Sequence, residues 1–244
     1  MKNRILTIFR NGKVFILFLI LISDPNYCYS QTSDEWQNDL RSLQQIVYTK
    51  YQNLFYNISA ENWDKEVDKL YSGIPGMNNN EIVAGFVKLV ALFHIGHTRI
   101  NLGPLQNADS KIQLHSYPVQ FYKFIDGIYV IRADKKYKDA IGGKVLSIGN
   151  MEVEKALEAI RSLVHCENEQ GFNSASMNFL TISEFLKIQG IADNDDTVTL
   201  TYLKNGNEET VVLKSEINSV HMTHTGLNTP EDWVDARKPG SIPL

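Results

Sequence analysis

Four histidines fall in two His-x-x-His pairs, His94 with His97 and His221 with His224. Imidazoles three positions apart share a helix face, and four brought together can hold zinc. Two features argue against a metal. No carboxylate stands at ligand spacing, and H-E-x-x-H is absent. His97 also follows Gly96, where the preceding helix is expected to stop. The reading is therefore no metal. A histidine just past a helix end is either a capping side chain or a general base. The second role needs a hydroxyl within hydrogen-bond reach and a third group to orient the ring. The nearest serine-rich phrase, GFNSAS with Ser174 and Ser176, reads as a helix start. No G-x-S-x-G elbow occurs. Arg99 can pair with a carboxylate, though a solvent-facing arginine accounts for it equally well. Trp36, Tyr51, Phe55, Tyr56 and Trp63 could form a sugar-binding face, but their helical spacing assigns them to a core.

The 244 residues are 43% apolar and 21% charged, values that exclude a disordered or collagen-like chain. The net charge of −4 gives no basic footprint for nucleic acid. Lys2, Arg4, Arg10 and Lys13 precede VFILFLILI at residues 14–22, and Asp24-Pro25-Asn26 ends that run. Cys28 and Ser30 then stand at −3 and −1 of a cut before Gln31. This is the pattern of a secretory signal peptide over residues 1–30, and the apolar run is shorter than the ~20 residues of a spanning helix. Export to a periplasm or the extracellular space follows, with membrane contact only through that segment if it stays uncleaved. Cleavage removes four basic residues and Asp24, leaving 20 basic and 27 acidic residues, a net of −7. Cys166 is then the lone cysteine and is expected to be buried.

The elements that must position these residues change character near residue 117. Ser33 can cap a helix carrying Trp36, Leu40, Leu43, Val47, Tyr51 and Leu54 on one stripe. A second helix follows Ser59, with Trp63, Val67 and Leu70 inward, and ends at Gly73, Pro75 and Gly76. A third begins near Asn80, with Ile82, Phe86, Val90 and Phe93 inward. Residues 31–116 thus form a helical unit. Strands are predicted at 118–124 and 128–133 around Asp126-Gly127, and at 145–148 after Gly142-Gly143. Helices follow at Val153, Ala156, Leu157 and Ile160, and over 175–189. A hairpin turns at Asn205-Gly206, with Val198, Leu200 and Tyr202 answered by Val211 and Leu213. Residues 117–217 form a β-rich unit, and 218–244 an extended tail with no element of its own. The fold class is α+β.

Two phrases carry a resemblance. LVALFHIGHTRINL sets Gly96-His97-Thr98 after an apolar helix, and FIDGIYVIRADKKY is followed by AIGGKVLSIGNMEVEKAL. In this order they resemble the tail-specific (C-terminal-processing) serine peptidases, in the branch with tricorn-like and interphotoreceptor retinoid-binding-protein-like members. The likeness covers essentially all of residues 34–217. It implies a helical part carrying G-H-T, then a PDZ-like domain over 117–217, with Gly143 to Ile148 as the strand after that module's short helix. It further implies His97 as general base toward a serine in a later catalytic core, and an unstructured peptide or protein as partner and substrate. No metal or organic cofactor is implied. The family often has Asp or Asn before the glycine, where this chain has Ile95. The family's serine core would begin near Leu244, so the 244 residues alone are expected not to be a competent peptidase. PDZ-like modules take peptides as an added strand, which points to 117–124, with Val119 and Phe121 as peptide-binding candidates; alternation alone leaves plain core as an equal reading of these two. The alternative is a non-catalytic, exported peptide-binding adaptor.

Overall fold

The structure, a computed structural model, describes residues 31–50, 53–106, 110, 112–217 and 232–237. Residues 1–30, where a signal peptide is expected, Tyr51, His221, His224 and most of the tail lie outside the described residues.

Helix α1 (Ser33–Lys50) buries Trp36, Leu40 and Val47 along the expected stripe. Its N-terminus is closed by Thr32 rather than Ser33. The Thr32 hydroxyl accepts from the Glu35 N–H at 3.2 Å, and the Glu35 carboxylate accepts from the Thr32 N–H at 2.7 Å. This reciprocal pair satisfies two otherwise unpaired donors. Helix α2 (Ala60–Gly73) is capped by Ser59 and buries Trp63, Val67 and Leu70. Helix α3 (Asn79–Ala91) opens on the same device, with Asn78 and Glu81 as the pair. α3 ends at Ala91, ahead of the expected stop at Gly96, and the chain turns away through His94. His94 takes a left-handed backbone (φ 52°), the conformation that ends many helices.

The second unit is an antiparallel sheet in the order β1 (Val119–Phe124), β2 (Gly127–Asp134), β3 (Lys144–Ile148), β5 (Thr197–Lys204), β6 (Asn207–Lys214). The short β4 (Met151–Glu152) pairs with β3. The second hairpin turns at Asn205-Gly206 as the sequence predicts, and the first turns one residue early, at Ile125-Asp126, with Gly127 already in β2. Phe124 pairs with Gly127 across one, and Lys204 with Asn207 across the other. Asn205 and Gly206 both have positive φ, 51° and 79°, as a two-residue turn matched to strand twist requires. Helix α4 (Val153–Ile160) packs on β3, and α5 (Glu169–Phe179) on β1.

The helix expected over 175–189 is two helices, α5 and α6 (Ser183–Ile188). Between them the backbone is pulled straight. The Tyr117 N–H donates to the Thr181 carbonyl at 2.8 Å, and the Ser183 N–H to the His115 carbonyl at 3.1 Å. That break is imposed by a segment far away in the chain, and no local propensity encodes it. Ser174 and Ser176 therefore stand inside α5, whose cap is Asn168.

The tail also differs from expectation. Residues 233–235 form β7 (Trp233–Asp235), which pairs antiparallel with β2. It is fixed by Arg132 and Asp235, both buried, with Nε and Oδ2 2.5 Å apart. The described molecule is α+β. Buried side chains from Trp36 to Leu213 make one continuous cluster, so the helical and β-rich units share a core. Among the described residues no helix is long and apolar enough to cross a membrane.

Candidate functional site

His97 sits on a tight turn in which the Thr98 N–H donates to the Ile95 carbonyl at 3.0 Å. The turn puts the imidazole in solvent, at the rim of a pocket of about 610 Å³. The loop after α3 forms one wall, with His97, Arg99 and Asn101. The other wall is the stretch leading into α5, with His165, Cys166 and Glu167, and the α5 residue Ser174. One hydrogen bond joins the walls: the Gly96 N–H donates to Glu167 Oε1 at 3.1 Å. At Gly96 a Cβ would lie 3.7 Å from that oxygen, an ordinary contact, so close approach does not require glycine there.

The electrostatics of the two walls differ. Burial lowers the His165 pKa below its ordinary value, and the nearby Arg99 guanidinium lowers it further, so this ring is neutral near pH 7. Its ring packs edge-on against Phe179, with centroids 5.9 Å apart. Cys166 is half-buried rather than buried. Burial raises its pKa, so the thiol stays protonated and is a poor nucleophile. His97 makes no hydrogen bond or ion pair among the described residues, and none links Ser174 to either ring. Ser176 is buried, its hydroxyl turned back on the Asn173 carbonyl at 3.4 Å. The pocket thus gathers a free imidazole, a guanidinium and a carboxylate, but no assembled nucleophile–base pair.

Val119 and Phe121 are 0% and 3% exposed and belong to the core. Their side chains line no groove, which corrects the peptide-binding expectation that the resemblance carried and decides for the core. Period two tells which residues share a face, not which face is outside. The outward residues of β1 are Tyr122 and Phe124, in ring contact at 4.6 Å. With Ile125, fully exposed at the hairpin tip, they form an apolar patch. In the sheet order β1 has a strand neighbour on one side only.

A second polar centre was not legible in the sequence. The Glu184 carboxylate is 2% exposed and sits on α6. It accepts from the His115 N–H at 2.9 Å and lies 2.6 Å from His115 Nδ1. The Ser183 hydroxyl adds a third bond at 3.2 Å. A carboxylate satisfied this fully fastens the 112–117 segment to α6. No motif links residues 69 apart, so only the fold reveals the pair.

Among the described residues, no group of three or more His, Cys, Asp or Glu side chains could hold a metal. His94 and His97 do not share a helix face, since both lie beyond α3. The chain matches no protein-family model and no curated protein.

Proposed function

We propose that the chain is the helical and PDZ-like portion of an exported tail-specific serine peptidase. In that enzyme His97 is the general base for a serine carried by a separate catalytic core. The ring takes the hydroxyl proton as the oxygen attacks the scissile carbonyl, then returns it to the departing amine. The observation that carries this reading is the state of His97. Its imidazole is exposed at a pocket rim and has no partner among the described residues, on the turn that holds Gly96-His97-Thr98. A base acting on a group from outside these residues needs that availability, and a capping histidine would instead be engaged by the helix end. On this reading the isolated 244 residues hydrolyse nothing. An unstructured substrate lies along β1 as an added strand, with Tyr122 and Phe124 as its side-chain contacts.

The test is the intact mass of the endogenous protein, captured by antibody, followed by hydrolysis of unfolded casein. The expected result is a mass well above that of residues 31–244 and measurable cleavage. His97→Ala in that protein should cut kcat by roughly 10³-fold or more while leaving Tm unchanged. A mass equal to residues 31–244, with no cleavage, overturns the proposal. The single-sided β1 and its exposed aromatic patch favour the second reading in that event, a non-catalytic exported adaptor for unstructured peptides. Calorimetry against a diverse peptide panel checks it, and no binding across the panel refutes it.

A further inference from the structure

A different cavity, of about 580 Å³, opens where α2 and α3 meet the turn after α4. Its volume lies within the ~300–1,000 Å³ usual for small-molecule sites. The walls are mainly apolar: Leu70 from α2, Met77 from the loop, Ala84, Leu89 and Leu92 from α3 and its end, and Val164 opposite. α2 and α3 approach closely because position 85 is glycine, where a Cβ would stand 2.5 Å from a Leu70 methyl.

The charged groups on this cavity are Glu66, Lys69, Glu81, Lys88 and Arg161, with His94 at its edge. All but one of the charges are engaged. Lys69 faces Glu66 at 3.6 Å. Glu81 caps α3, accepting from the Asn78 N–H at 2.8 Å. Arg161 pairs with Glu158 at 2.7 Å and Glu169 at 2.8 Å, and lies over the Phe172 ring. Lys88 has no hydrogen bond or ion pair among the described residues. It is half-buried, and both burial and the Lys69 ammonium act against its charge. An ammonium drawn out of water beside a second ammonium is unfavourable unless an anion completes it. Apolar walls beside a half-buried ammonium that contacts no carboxylate among the described residues are complementary to an apolar body bearing one negative head.

We propose that this cavity binds a monomeric, monoanionic amphiphile, a carboxylate on a medium-length apolar chain, with Lys88 donating to the carboxylate. The apolar body lies against Leu70, Leu89 and Leu92. The site is independent of the His97 pocket and of the peptidase reading.

The test is titration calorimetry of the full chain with sodium decanoate below its micellar concentration, with decanol as the uncharged comparison. Saturable one-to-one binding of decanoate is expected, at least tenfold tighter than decanol. Lys88→Met should weaken decanoate at least tenfold and leave decanol unchanged, whereas Lys88→Arg should retain decanoate within about threefold, since either cation pairs with a carboxylate. Absence of saturable binding overturns the proposal, as does equal binding of decanoate and decanol. Decanoate binding that Lys88→Met does not change also overturns it, placing the ligand elsewhere, for example on the apolar run at residues 14–22. Sedimentation with phosphatidylglycerol vesicles, lost in Lys88→Met, without binding of monomeric decanoate, replaces the proposal with a membrane contact. Should Lys88→Met fail to fold, the decanoate-to-decanol ratio on the unaltered chain decides alone.

Discussion

Arg132 and Asp235 are 103 residues apart in the chain and meet inside it, their side chains almost closed to solvent. Arg237 adds three further hydrogen bonds to the same carboxylate, from its backbone N–H at 2.9 Å and from its guanidinium Nε and Nη2 at 3.0 and 3.1 Å. Burial by itself would raise the Asp235 pKa. The Arg237 and Arg132 groups outweigh it and hold the carboxyl well below the usual range. Because the folded value is depressed, this group's stabilisation is complete above its unfolded value of about 3.9 and drains as pH falls toward the folded one. Unfolding in urea should therefore become easier below about pH 4. Asp235→Asn should flatten that acid limb. At neutral pH it should cost about 3–5 kcal/mol, because the buried Arg132–Asp235 ion pair is broken. A neutral-pH loss under about 1 kcal/mol would show that β7 is not docked in solution.

At the scale of elements, two glycines separate backbone strain from steric collision. Gly206 lies in the β5–β6 turn at φ 79°, and no atom stands within 4 Å of where an added Cβ would lie. Gly206→Ala should cost about 1 kcal/mol, the left-handed penalty alone. Gly149, between β3 and β4 at φ 56°, would put its Cβ 2.1 Å from the Ile191 carbonyl oxygen. Here a main chain must move, so Gly149→Ala should cost roughly 2–4 kcal/mol. Paired urea melts check the order, and equal losses would contradict the close approach of the Ile191 backbone. The same contrast explains what was readable. Asn205-Gly206 announces a turn through residue types that tolerate positive φ. Gly149-Asn150 is a local turn signal too, but the close approach at Gly149 has no local mark, since it comes from the distant Ile191 segment. The split between α5 and α6 has the same origin, since His115 and Tyr117 supply the bonds that straighten Ile182.

For the whole molecule, the change of pattern near residue 117 divides secondary-structure type but not the core. Phe93, Leu114, Ile182 and Phe185 are buried in the same cluster as Trp63 and Val145. The 112–117 stretch is bonded both to the turn at Ile182 and to Glu216 after β6. Unfolding should therefore be a single cooperative transition. Circular dichroism at 222 nm, dominated by helix, and tryptophan fluorescence from Trp36 and Trp63 in the helical unit and Trp233 on β7 should give coincident midpoints. Two resolved transitions would mean that the helical and β-rich units are separate bodies.

Periodicity and turn chemistry in the sequence determined α1 to α3, the two hairpins and the α+β class, because those features depend on neighbours within a few residues. They also placed His97 in the loop after α3, though the helix ends earlier than expected, at Ala91. The tertiary structure alone decided which face of β1 is inside, burying Val119 and Phe121 and exposing Tyr122 and Phe124. It also decided that β7 docks on β2, that Glu184 receives His115, and that Lys88 lines an apolar cavity with no ion-pair contact among the described residues. Each of these is a meeting of groups far apart in the chain. Burial and pairing at such distances arise from how the elements pack, and the order of residues along the chain does not carry them.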